Sequence, residues 1–253
     1  MGKRWGTITL AVVAVVAVSL VVYLLTRRSP VRGAGTTPGD VPASAAPAGP
    51  TSAVDLRAAL SAGPVTAVVF GDSYIAGTGA DPGGLAFTQQ AMTQLGWSAT
   101  YNAVPGSGYC TTHQIDYRQR LAVLPKDPAP TVFVLEGGVN DVGCGPVILD
   151  VEIPAALAAI RAAYPRTLIV VLGPAVPATR SLVQLTPVDA ALEAAATAAR
   201  VPYISPLQEA WLTDANRSQY LISDGLHPNQ AGYDYLASLL VKDLRQITST
   251  SSP

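Results

Sequence analysis

The chain has 253 residues, 49 % of them hydrophobic and only 13 % charged, which is enough apolar material for a sizeable core and excludes a chain disordered throughout. Its formal net charge is −1, but five basic residues (Lys3, Arg4, Arg27, Arg28, Arg32) precede residue 33, whereas Asp40 is the one acid before residue 54. From residue 54 onward 11 basic residues face 16 acidic ones, a balance of −5, so the globular part has no electrostatic reason to bind nucleic acid.

The first element is a charge-free, predominantly apolar run over 8–25, broken only by Thr9 and Ser19, preceded by Lys3 and Arg4 and followed by Arg27 and Arg28. Eighteen residues at about 1.5 Å each span roughly 27 Å, close to the hydrocarbon thickness of a bilayer. No small-x-small cleavage site follows directly, so 1–28 reads as an uncleaved transmembrane signal anchor, with a cleaved signal peptide as the alternative. Basic residues on both flanks leave the orientation open by charge alone. Residues 29–53 are almost entirely Pro, Ala, Gly, Ser and Thr, a composition that reads as a flexible tether.

From residue 54 short apolar runs alternate with helical stretches. Strands are predicted over 65–70, 100–104, 131–136, 167–172 and 201–204, near-continuously apolar as befits parallel strands covered on both faces. Helices are predicted over 56–62, 86–95, 117–124, 146–163, 187–199 and 229–246. This alternation predicts one domain over 54–247, a three-layer α/β/α sandwich on a five-stranded parallel sheet, with a frayed tail over 248–253. Functional groups in such sheets gather beyond the carboxyl ends of the strands.

The loops there hold the chemistry. The first strand runs into Gly71-Asp72-Ser73; a serine in that place is either a helix N-cap or a nucleophile with backbone N–H groups beside it. The second ends in Asn102-Ala103-Val104-Pro105-Gly106-Ser107-Gly108, an ordinary turn or a place where glycine N–H groups approach a ligand. The third ends in Gly137-Gly138-Val139-Asn140-Asp141, and an Asn amide can hold an anionic oxygen without titrating. Near the C-terminus, Asp224-Gly225-Leu226-His227-Pro228-Asn229 puts a carboxylate three residues before an imidazole, which is either a capping turn or an oriented base. His113, the other histidine, has no such neighbour and reads as structural or solvent-exposed. Cys110 and Cys144 fall in loops at the same sheet edge and suit a disulfide in an exported domain, or else two buried thiols. Together these loops set out a nucleophile, oxyanion donors and an acid–base pair, the parts that acyl transfer needs.

These four segments resemble the signature blocks of the SGNH/GDSL hydrolases: GDSY at 71–74, NAVPGSG at 102–108, GVND at 138–141 and DGLHPN at 224–229. The resemblance covers about 65–240. It implies a flavodoxin-like fold, Ser73 as nucleophile, His227 as general base and Asp224 as its orienting carboxylate. It implies an oxyanion hole from the Ser73 and Gly106 N–H groups and the Asn140 side chain, with Gly108 as the alternative glycine. It implies no metal and no organic cofactor. Tyr74 departs from the family, which has Leu there; the position reads as a packing one. A Cys110–Cys144 bridge would staple the loops that carry Gly106 and Asn140, and would need an oxidising compartment, which supports a location outside the cytoplasm.

The expected activity is that of a membrane-anchored esterase or lipase acting on carboxylic esters. The alternatives are an acyltransferase or O-deacetylase acting on cell-envelope glycan, and a non-catalytic binding domain on the same fold. A metallophosphoesterase finds too few histidines. The loops over 76–85 and 173–188, rich in Pro and Gly and poor in charge, point to an uncharged, partly apolar substrate.

Overall fold

A computed structural model describes residue 60 and residues 63–110 and 116–249. All of these belong to one compact unit, 45–253. The expected membrane segment, the tether, all but one residue of the helix expected over 56–62, and His113 lie outside the described residues. Among the described residues no helix is long and apolar enough to cross a membrane.

Five strands, β1 (Thr66–Gly71), β2 (Ser98–Ala103), β3 (Val132–Glu136), β4 (Leu168–Leu172) and β5 (Tyr203–Ile204), form one sheet in the order β2-β1-β3-β4-β5, every pair parallel. This is the doubly wound order of flavodoxin-like sheets. Successive side chains of a strand point to opposite faces, and the core divides accordingly. Val132 and Val134 join one apolar cluster, and Phe133 and Leu135 the other.

The first cluster is covered by α1 (Ser73–Ala76), α2 (Phe87–Leu95) and α7 (Gln230–Ser249), through Ile75, Met92, Tyr233, Leu236 and Leu240. The second is covered by α3 (Tyr117–Ala122), α4 (Pro146–Ala163) and α5 (Leu182–Ala199), through Leu121, Ile153, Leu157, Val188 and Leu192. A short helix, α6 (Arg217–Tyr220), precedes the loop that carries His227. The three-layer sandwich on a five-stranded parallel sheet is as predicted.

Several boundaries differ from the sequence reading, and α7 runs on to Ser249, over the first two positions of the tail expected to fray. Strand β2 is the sheet edge, starts at Ser98 and is partly exposed, so it lacks the apolar run of a doubly covered strand. Strand β5 is two residues long. Helix α5 begins five residues before Pro187, because Ser181 caps it: the Gln184 N–H donates to Ser181 Oγ, and the Ser181 N–H donates to Gln184 Oε1. The loop after β4 therefore ends at Ser181 and not at residue 188.

Candidate active site

The site is built at the carboxyl edge of β1. Strand and helix meet at Gly71-Asp72-Ser73, and Asp72 caps α1 by accepting the Tyr74 N–H on Oδ1 at 2.9 Å. Ser73, the first residue of that one-turn helix, is 5 % exposed. Gly71 has no alternative, since a Cβ there would stand 2.2 Å from Glu136 Oε2.

Ser73 Oγ lies 2.9 Å from His227 Nε2, and His227 Nδ1 lies 2.6 Å from Asp224 Oδ2. The other Asp224 oxygen accepts the N–H groups of Leu226 and His227 at 2.8 and 3.0 Å. Partial desolvation pushes Asp224 up, but the bonds from the His227 ring and from these two amides outweigh it and hold the carboxyl below its ordinary range. The pair thus presents a carboxylate to Nδ1 and leaves Nε2 facing the hydroxyl, the arrangement that moves a proton off a serine. The Asp-x-x-His and Gly-Asp-Ser segments, each open to a capping reading in sequence, are brought together across 154 positions. The serine residue is not itself the cap of its helix; Asp72 is.

The glycines of the second block separate. Gly108 is packed against Asp141, where a Cβ would stand 2.6 Å from Oδ1. Gly106 has φ +76°, and its N–H meets no acceptor among the described residues. The Ser73 N–H, in the first turn of α1, also has no intrahelical partner.

Asn140 sits in a 3₁₀ turn, Val139–Asp141, after β3. Its Nδ2 donates to Asp72 Oδ2 and to the Ser107 carbonyl, both at 2.9 Å. Both amide hydrogens are thus engaged before any substrate arrives. The turn is stapled to the second block: Asp141 Oδ1 accepts the Cys110 N–H at 3.0 Å, and a disulfide joins Cys110 to Cys144.

Several groups around the site were not legible as functional. Arg120, on α3, is buried and donates to the Gly71 carbonyl (2.9 Å), Ser107 Oγ, and the Asn102 carbonyl and Oδ1 (2.6 Å each), with its guanidinium 4.0 Å over the Phe70 ring. It ties the ends of β1 and β2 to the glycine loop. The signal was the stripe Tyr117, Arg120, Leu121, spaced as one buried helix face.

Three carboxyl groups are buried here. Burial raises Asp72 to about 6 against the lowering effect of the Tyr74 N–H, His227 and Arg120. Burial raises Asp141 to about 7, only partly offset by the Cys110 N–H. Burial, and then the nearby Asp72 charge, keeps Glu136 well above the carboxylate range. Glu136 Oε2 accepts the Asp72 N–H at 3.2 Å. The cluster Cys110, Asp141, Cys144 is the one grouping of metal-ligand types among the described residues, and the disulfide occupies both sulfurs, so the donor set does not suit an ion.

Comparison with known proteins agrees with this geometry. The model of the GDSL-like lipase/acylhydrolase family matches residues 69–235. A GDSL lipase of Mycobacterium tuberculosis is 29 % identical over 181 residues, 67 % of this chain and 77 % of that protein. Among solved structures, the lipase/acylhydrolase from Enterococcus faecalis superposes with a TM-score of 0.56 at 17 % identity, over 72 % of this chain and 96 % of that one. A carbohydrate esterase family 2 enzyme from Corynascus thermopiles superposes with a TM-score of 0.56 at 19 % identity, over 73 % of this chain and 67 % of that one. At such identities the two structures show a shared fold. The family match, which takes in the Ser73 turn and the Asp224–His227 loop, shows more: the chain belongs to the GDSL-like lipase/acylhydrolase family and is an SGNH-type hydrolase.

Proposed function

We propose that the domain is a serine esterase or lipase that cleaves carboxylic esters through an acyl-enzyme on Ser73. The observation that carries this reading is the unbroken chain from Ser73 Oγ through His227 to Asp224, at 2.9 and 2.6 Å. Ser73 Oγ gives its proton to His227 Nε2 as it bonds to the ester carbonyl carbon, and Asp224 balances the imidazolium. The carbonyl oxygen becomes an oxyanion, held by the Ser73 and Gly106 N–H groups and by Asn140, whose amide shares or exchanges one of its present acceptors. Collapse breaks the bond to the alcohol oxygen, which takes the proton from His227. Water, deprotonated in turn by His227, then attacks the acyl-enzyme and releases the acid.

The surroundings favour an apolar acyl group. Val147, Ile148 and Val151 on the opening turns of α4, Leu182 and Val183 on the first turn of α5, and Leu85 before α2 are all exposed. These helices follow β3, β4 and β1 and so start at the carboxyl edge of the sheet, the edge to which Ser73 also belongs. Apolar side chains massed at one edge of a domain favour apolar ligands.

We further propose that the domain works outside the cytoplasm, held to the membrane by residues 1–28. The apolar run over 8–25 supports an anchor, and the paired cysteines support an oxidising compartment. Hydrolysis of p-nitrophenyl esters from acetate to palmitate, beside the Ser73→Ala variant, tests the central reading. Turnover by the wild type alone assigns the nucleophile, and the chain-length profile defines the acyl pocket. No turnover by either protein moves a glycan ester to the front.

A further inference from the structure

Consecutive residues of the nucleophile turn bond to consecutive residues of the base loop. Ser73 Oγ meets His227 Nε2 at 2.9 Å, and the Tyr74 hydroxyl donates to the Leu226 carbonyl at 2.7 Å. Tyr74 is 3 % exposed, and its ring stands 6.3 Å from the His227 ring.

The loop over 222–227 is braced from within. The Ile222 N–H donates to the His227 carbonyl, the Gly225 N–H to the Ile222 carbonyl, and the Leu226 and His227 N–H groups to Asp224 Oδ1. Asp224 and His227 therefore keep their mutual geometry as parts of one unit. What those bonds do not fix is where the unit stands relative to Ser73. Among the described residues, besides the Ser73–His227 contact itself, the hydrogen bonds that fix it to other elements are the Tyr74 hydroxyl on Leu226 and the Thr179 N–H on the Gly225 carbonyl. Only the first comes from the element that carries the nucleophile. Burial pushes the Tyr74 hydroxyl up, and the neighbouring acidic groups push it further, so it stays a donor across the working range. A leucine, the usual residue of this block, fills the space without a donor.

We infer that Tyr74 is a positioning residue for ester cleavage: through the Leu226 carbonyl its hydroxyl sets the separation between Ser73 Oγ and His227 Nε2. This rests on Ser73 and His227 carrying the reaction. The test uses the whole chain with Tyr74→Phe, which keeps the ring, and Tyr74→Leu, which restores the family residue if the first fails to fold. The pH profile of kcat/KM for p-nitrophenyl butyrate is measured per active site, the sites being counted by fluorophosphonate labelling of Ser73.

The expected result is a plateau lowered about 5- to 50-fold, from one lost buried hydrogen bond to a modest misplacement of reacting groups, with KM unchanged. The acid midpoint should stay in place, because Asp224 travels with His227. A per-site plateau within twofold of wild type overturns the inference, as does a loss confined to the number of labelled sites. Persistence of activity in Ser73→Ala would instead overturn the underlying assignment of the nucleophile.

Discussion

Asn140 donates a side-chain hydrogen to the carboxylate of Asp72, the residue immediately before Ser73, at 2.9 Å and across 68 positions of sequence. The same nitrogen reaches the Ser107 carbonyl. The amide is therefore held between β1 and the glycine loop, on the edge where an oxyanion would form. Asn140→Ala should lower kcat by about 10²–10³ with a small change in KM, as for removal of one oxyanion donor. A fall of less than tenfold in steady-state kinetics would limit Asn140 to bridging the two loops.

Asp141 gives a pH dependence of stability whose sign is fixed by its environment. Its carboxyl titrates near 7 in the fold against 3.8 ordinarily. Between these values the unfolded chain has released the proton and the folded one still holds it, so this group's contribution to stability falls as pH rises from about 4 to about 7. An amide can still accept the Cys110 N–H and carries no charge. The Tm of Asp141→Asn should match wild type near pH 4.5 and exceed it at pH 8. Equal pH profiles for the two proteins would refute the assignment.

The two glycines of the second block should respond differently to alanine. At Gly108 the added methyl meets the Asp141 carboxylate, and overpacking of that kind costs about 1–3 kcal/mol. At Gly106 the cost is that of φ +76° for an L-residue, about 1–2 kcal/mol. Thermal melts should show both losses. Only Gly106→Ala is expected to reduce kcat per labelled Ser73 beyond what its melting curve explains.

Cys110 and Cys144, 34 positions apart, close a loop that contains α3 and β3. The double variant Cys110→Ala/Cys144→Ala should lose about 2–4 kcal/mol on denaturant unfolding. It should also lose rate, since the bridge ties the loop of Gly106 to the turn of Asn140. Two free thiols in the unreduced, denatured wild type would remove the basis for both effects.

How far the sequence could be read depended on how each element is buried. Strands β3 and β4, closed in on both faces, were located to within a residue by their apolar runs. Strand β2 was read as starting two residues late, because an edge strand bearing Ser98, Thr100 and Tyr101 carries polar groups where water reaches it. In α5 Pro187 looked like a first-turn residue. It lies inside the helix, exposed, where solvent can satisfy the carbonyl that it leaves unpaired, and the true start was written in Ser181 and Gln184. Ser73, Asp224 and His227 were named through the resemblance of their short segments to the family's signature blocks, since position alone left a capping reading open, and the fold brings the three together. Arg120 was not legible, since its partners Gly71, Asn102 and Ser107 come from elements that only the folded sheet brings together. Tyr74 was read for its ring alone, and its hydroxyl has a partner 152 positions away.

The distance in sequence between Ser73 and His227 has a consequence in time. Residue 227 is synthesised 154 positions after residue 73, and a domain folds as a unit, so Ser73 exists well before the loop that holds His227. The domain closes when α7, the helix after that loop, lays Tyr233 and Leu236 into the core and its Tyr233 hydroxyl donates to the Thr78 carbonyl, five residues beyond Ser73. Until then Ser73 has no base. A nascent or truncated chain thus carries a dormant hydroxyl, and the onset of ester cleavage marks the docking of the last helix, giving a clock for folding that needs no added label.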